Sequence, residues 1–184
     1  MKSRTIVGNK DNFALEIIKD EMQENSGYIY MYVNNKKFGF DEHSYDIESA
    51  ILNVIDNFKI LEFDTKNLIN CPPDILFSAY YTCYKKEIDT SELDPESIEK
   101  LKNDEINEYY LNFYSDFLAE DNLDSCVFRL GNYIFDTSFV ILVPKKEKLR
   151  LYIKDKKGAI ENICTTKNEF LKLWKGLLSE WEKE

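Results

Sequence analysis

Histidine occurs once in the 184 residues, at His43, and glycine only six times. A single imidazole confines every His-dependent triad to one position. His43 falls beside Ser44, a candidate helix cap, where an exposed loop residue is expected rather than a catalytic base with an orienting partner. Neither the dinucleotide fingerprint nor the P-loop pattern occurs, which excludes nucleotide binding by those routes. The four cysteines, Cys71, Cys83, Cys126 and Cys164, lie far apart and make no C-x-x-C pair. Reduced thiols are therefore expected, with no metal site and no cofactor. The opening MKSRTIVGNKDNF lacks the apolar core of a secretory signal, and the longest apolar block, residues 139–143, is strand-sized against the roughly 20 residues that cross a bilayer. The expectation is a cytoplasmic protein without a membrane span.

What is present is a 43% hydrophobic chain of single-domain length, one domain over residues 1–184, able to bury about 70% of its unfolded surface without staples. Its net charge of -10 argues against a nucleic-acid binder, which must cluster Lys and Arg against phosphates. The charge is uneven. Residues 87–124 hold thirteen acids against Lys100 and Lys102, a net -11, which leaves about +1 for the rest of the chain. Residues 145–157 carry seven basic residues against Glu147 and Asp155, a net +5.

Period-2 and period-3.6 patterns divide the chain into elements. Residues 13–18 read as a strand. Residues 28–33 read as a second, with Tyr28, Tyr30 and Tyr32 on one side and Ile29, Met31 and Val33 on the other. Asn34-Asn35 tolerates positive φ and predicts a tight hairpin into 36–39. A helix capped by Ser44 follows, with Ile47, Ile51, Val54, Ile55 and Phe58 as its stripe. After Pro72-Pro73, a second stripe runs through Leu76, Ala79, Tyr80, Cys83 and Tyr84, and a third helix opens at Asp94-Pro95. From Cys126 onward CVFRL, FVILV, LRLYIK and AIENIC read as an antiparallel meander. A closing helix starts at a capping box of Thr166 and Glu169 and carries Phe170, Trp174, Leu177, Leu178 and Trp181 on one face. The fold class is α+β, an antiparallel, meander-like sheet with strands from both ends of the chain, packed with three to four helices.

Four constellations bear on function. Asp74 with Asp155-Lys156-Lys157 would suit a small metal-dependent hydrolase or nuclease, although D-x-K strings are common. The tyrosine row resembles a base-stacking platform, but net acidity opposes that use, and packing is the commoner role. The acidic segment has a different signature. On its helix Glu96–Lys100 and Lys100–Asp104 pair favourably at i,i+4. Asp104–Glu108, Asp116–Glu120 and Glu120–Asp124 repel at that spacing, for about 0.2–0.5 kcal/mol each. A retained cost of this kind fits a face for cations. The candidate binding residues are Asp104, Glu105, Glu108, Asp116, Glu120, Asp121 and Asp124, and the basic stretch 145–157 is a rival face for an acidic partner.

Residues 7–17 (VGNKDNFALEI), 28–39 (YIYMYVNNKKFG), 132–143 (NYIFDTSFVILV) and 170–181 (FLKLWKGLLSEW) together resemble the immunity protein 42 family of bacterial polymorphic-toxin systems. The resemblance implies a non-enzymatic protein that binds and neutralises a cognate toxin delivered between neighbouring cells, and it carries over no catalytic residue. The toxin expected opposite the acidic segment has a basic surface, such as the substrate cleft of a nuclease. An adaptor without any toxin is the remaining alternative.

Overall fold

The computed structural model describes residues 4–23, 25–39, 44–59, 65, 68–80, 127–130, 138–155 and 157–183. Two antiparallel sheets organise them. The first contains β1 (Arg4–Asn9), β2 (Phe13–Lys19), β3 (Ser26–Val33) and β4 (Lys36–Gly39) in that spatial order, with the short β5 (Tyr45–Asp46) paired to the start of β3. The second is the meander β6 (Val127–Leu130), β7 (Ser138–Lys145), β8 (Lys148–Lys154) and β9 (Ile160–Thr166). The class and the contribution of strands from both ends are as expected, with the strands divided between two sheets. Among the described residues three α-helices join them: α1 (Ile47–Lys59), α2 (Pro73–Tyr80) and α3 (Lys167–Trp181). The helix expected to open at Asp94-Pro95 lies outside the described residues, as do Cys83 and Tyr84.

Strand β3 alternates as its sequence predicts. Ile29, Met31 and Val33 enter the main core, while Tyr28, Tyr30 and Tyr32 occupy the opposite face of the sheet. Asn34 and Asn35, at φ of 51° and 63°, make the hairpin to β4. This is the primed-turn geometry that asparagine tolerates. Strand β1 has no counterpart in the sequence reading. It is an exposed edge strand pairing Arg4 with Ile18 through Asn9 with Phe13, and only alternate residues are half-buried, so its apolar signal is weak.

Helix α1 starts at Ile47, and its cap is Asp46 rather than Ser44. The Asp46 carboxylate accepts the Ser49 amide at 2.9 Å. Pairing of Tyr45 with Gly27 keeps the preceding backbone extended and so delays the helix. The Tyr45 hydroxyl, whose pKa is driven up by burial, accepts the Ile29 amide at 3.0 Å and ties that junction to β3. The capping box of α3 is formed as predicted: Thr166 Oγ1 accepts the Glu169 amide at 3.1 Å, and the Glu169 carboxylate accepts the Thr166 amide at 3.2 Å.

Helices α1 and α3 pack together over the first sheet, where Phe170 stacks on Phe13 and meets Phe58 with centroids 4.8 Å apart. Trp174 and Trp181 are buried beside them. The near-continuous apolar run of β7 is explained by burial on both faces. On one of these faces Phe139 meets Tyr80 at 4.4 Å between centroids, and Tyr152 donates its hydroxyl to the Cys71 carbonyl at 2.9 Å. No helix among the described residues is long and apolar enough to cross a membrane.

Candidate functional site

The seven acidic candidates, Asp104, Glu105, Glu108, Asp116, Glu120, Asp121 and Asp124, lie outside the described residues, and so does His43. The hydrolase pair lies within them. Asp74 is exposed in the first turn of α2. Asp155 brackets the β8–β9 turn, its carboxylate accepting the amides of Lys157 and Ala159 at 2.9 and 2.8 Å. That is the work of a turn residue. The Cys71 thiol is pushed up to about 12, first by burial and then by the charge of Asp74, which makes it inert at neutral pH. Among the described residues no group of three or more His, Cys, Asp or Glu could hold a metal ion.

The rival basic stretch is divided by the fold. Lys145, Lys146 and Lys148 sit exposed in the β7–β8 turn, with Lys146 at φ 53°. Arg150 instead donates to the Ile69 carbonyl at 2.7 Å, and the Lys154 ammonium lies 5.6 Å from the Phe77 ring centroid. Those two cations fasten the segment around α2 to the second sheet and are not presented together with the turn lysines.

A different set of charges is gathered on the face of the first sheet that turns away from the main core. Glu16, in the middle of β2, is 0% exposed. Register places it directly between Ile6 on β1 and Tyr30 on β3. Its carboxylate accepts the Tyr32 hydroxyl at 2.9 Å and a hydrogen bond from the Arg4 guanidinium, and the ammonium groups of Lys10 and Lys37 stand 3.5 Å from it. Burial alone would raise the Glu16 pKa. The bonds from Tyr32 and Arg4, with the charges of Lys37 and Lys10, outweigh that and hold it below the ordinary carboxylate value. The same bond raises the Arg4 pKa.

Two of these cations are also braced by tyrosines. Lys37 lies 3.5 Å above the centroid of Tyr30, and Lys10 lies 4.0 Å above that of Tyr32. The Tyr30 ring packs close on Gly39, where φ is 144° and an added Cβ would lie 2.5 Å from the ring, so β4 needs glycine at that point. Tyr30 and Tyr32 are each only 7% exposed. Covered rings of this kind do not form an open platform for stacked bases. Nothing in the linear pattern marks this cluster except Glu16 itself, a lone carboxylate inside an otherwise apolar strand.

A groove of about 510 Å³ opens between β1, β9 and α3, lined by Val7, Asn12, Ile163, Thr165, Leu173 and Gly176 among others. Its nearest carboxylate, Glu169, is engaged by Thr165 and Thr166 in the cap of α3.

Comparison with known proteins places this geometry in a family. The profile of immunity protein 42 matches residues 5–180. A crystal structure of CdiI from Burkholderia dolosa superposes with a TM-score of 0.57, covering 96% of this chain and 99% of that one at 11% identity, so the likeness is one of fold. No curated protein matches in sequence. The family match over residues 5–180 takes in both described sheets, the three described helices and the acidic segment of the sequence, and on that extent the chain belongs to the immunity protein 42 family.

Proposed function

We propose that the chain protects the cell that makes it by binding a cognate protein toxin stoichiometrically, without turning over a substrate. The observation that carries this reading is the family match over residues 5–180. The alternative of a hydrolase built on Asp74 and Asp155 has less to support it, because the Asp155 carboxylate is occupied by its own turn. Protection takes place in the cytoplasm, and the partner's contact for the acidic segment is a basic surface, such as the substrate cleft of a nuclease. Asp104, Glu105, Glu108, Asp116, Glu120, Asp121 and Asp124 would meet that surface, and a net -11 over residues 87–124 would steer a cationic partner at low salt.

The test begins with the reading frame next to this gene. Co-expression with the C-terminal domain that frame encodes should restore growth, and purified toxin and chain should elute as one complex. A toxin that still kills in the presence of abundant folded chain would refute the pairing. Charge reversal at Asp104 and Glu108 should slow association and flatten its salt dependence. Association insensitive to both would remove the acidic segment from the interface and leave the binding role standing.

A further inference from the structure

The Glu16 cluster holds more positive charge than its carboxylate requires. Arg4, Lys10 and Lys37 surround one buried carboxylate, leaving an excess of two positive charges. A structural ion pair is complete with one cation, and like charges crowded together repel. The cations are accessible while their supports are not: Arg4, Lys10 and Lys37 are 50%, 28% and 41% exposed, against 0% for Glu16. Beside them Ile6, directly opposite Glu16 in register, is 44% exposed. An apolar side chain flanked by fixed cations is the layout of a contact patch, an apolar centre with a charged rim. Because Lys10 and Lys37 are already held over tyrosine rings, less side-chain freedom remains to be lost when a partner arrives.

We infer that this outer face of the first sheet, centred on Ile6 and rimmed by Arg4, Lys10 and Lys37, is a second docking surface that receives an acidic segment of the partner toxin. The inference rests on the immunity reading and adds to it a contact opposite in sign to that of the acidic segment. The excess of two positive charges selects carboxylates, and Ile6 selects an apolar residue next to them. A nucleic acid is disfavoured as the occupant, because three cations with one matched by Glu16 are too few to neutralise a run of phosphates.

The experiment measures binding of the full chain to the purified C-terminal domain encoded by the neighbouring frame, at low and moderate salt. Two double variants are used: Lys10→Glu with Lys37→Glu, and the milder Lys10→Gln with Lys37→Gln, which keeps the fold accessible to measurement if reversal beside Glu16 unfolds the sheet. The control is Lys145→Glu with Lys148→Glu in the exposed β7–β8 turn. The Gln pair should weaken binding about tenfold and the Glu pair about a hundredfold, the latter equivalent to about 2.7 kcal/mol. The turn pair should change it less than about threefold. Affinities of the Gln pair, or of a folded Glu pair, within threefold of wild type would overturn the surface and leave the immunity function intact. A wild-type chain that neither binds nor protects would overturn the function and this surface together. A single-stranded oligonucleotide that wild type binds and the Gln pair releases would overturn the assignment to a protein partner.

Discussion

Replacing Glu16 tests whether the cluster on the first sheet is held together by its carboxylate. In Glu16→Ala the Tyr32 hydroxyl loses its acceptor, and Arg4, Lys10 and Lys37 lose the charge between them. An orphaned hydroxyl costs about 1–3 kcal/mol, and breaking a buried ion pair from one side costs about 3–5 kcal/mol. Here the cations are between 28% and 50% exposed, so water screens much of their repulsion. The expected loss is therefore about 3 kcal/mol, a fall in Tm of roughly 6–12 °C for a chain of this size. Glu16→Gln keeps an acceptor for Tyr32 and should lose about half as much. The pH dependence separates charge from packing. The folded Glu16 carboxyl titrates below its ordinary value of 4.5, so its charge contribution is fully present above that value and is lost as pH falls through the lowered folded value. Thermal melts of wild type and Glu16→Gln should be well separated at pH 7 and converge as the pH is lowered below 4.5. A constant separation down to acid pH would show that the carboxylate's charge contributes nothing, and a Glu16→Ala loss below about 0.5 kcal/mol would refute the whole account of the cluster.

Three further outcomes follow from geometry elsewhere. Thr166→Ala removes the side-chain acceptor for the Glu169 amide and should cost about 1 kcal/mol, read as a drop in urea midpoint with an unchanged slope. At Gly8, φ is 104°, and an added Cβ would lie 2.5 Å from the Phe13 carbonyl and 2.9 Å from Leu173. Gly8→Ala should therefore cost about 3 kcal/mol, and a neutral result by calorimetry would contradict the close seating of α3 on β1. Iodoacetamide at mildly alkaline pH should modify exposed Cys164 and spare Cys71, whose thiol is pushed up to about 12, as peptide mass mapping of native protein would resolve.

Local patterns carried most of the described fold. The alternation in β3, the Asn34-Asn35 turn and the Thr166–Glu169 box each depend on residues within a few positions of one another, and each formed as read. Elements set by distant partners were not legible. Strand β1 is stabilised by register with β2 rather than by its own composition, and the start of α1 was moved from Ser44 to Asp46 by a pairing with Gly27, seventeen or more residues earlier in the chain. The same distinction explains the basic stretch. Seven cations within thirteen residues look like one face, yet strand geometry sends Arg150 and Lys154 toward α2 and leaves the turn lysines in solvent.

Charge counted along the chain and charge gathered in space therefore give different maps of this protein. The sequence shows one acidic segment on a scaffold of about +1, in which only the basic stretch 145–157 stands out as a run of charge. Antiparallel register then brings Arg4 from β1, Lys10 from the β1–β2 turn and Lys37 from β4 around a single carboxylate on β2. No two of these cations are closer than six residues in sequence, so no window would register them as a patch. On the proposed reading, a partner held by these cations and also by the acidic segment is fixed in orientation more tightly than by either alone, because a partner turned around would set like charges against each other in two places. Neutralising Lys10 and Lys37 to Gln should accordingly damage discrimination between the cognate toxin and a non-cognate one more than it damages fold stability, and competition binding with the two toxins, set beside thermal melts of the variant, would measure that difference.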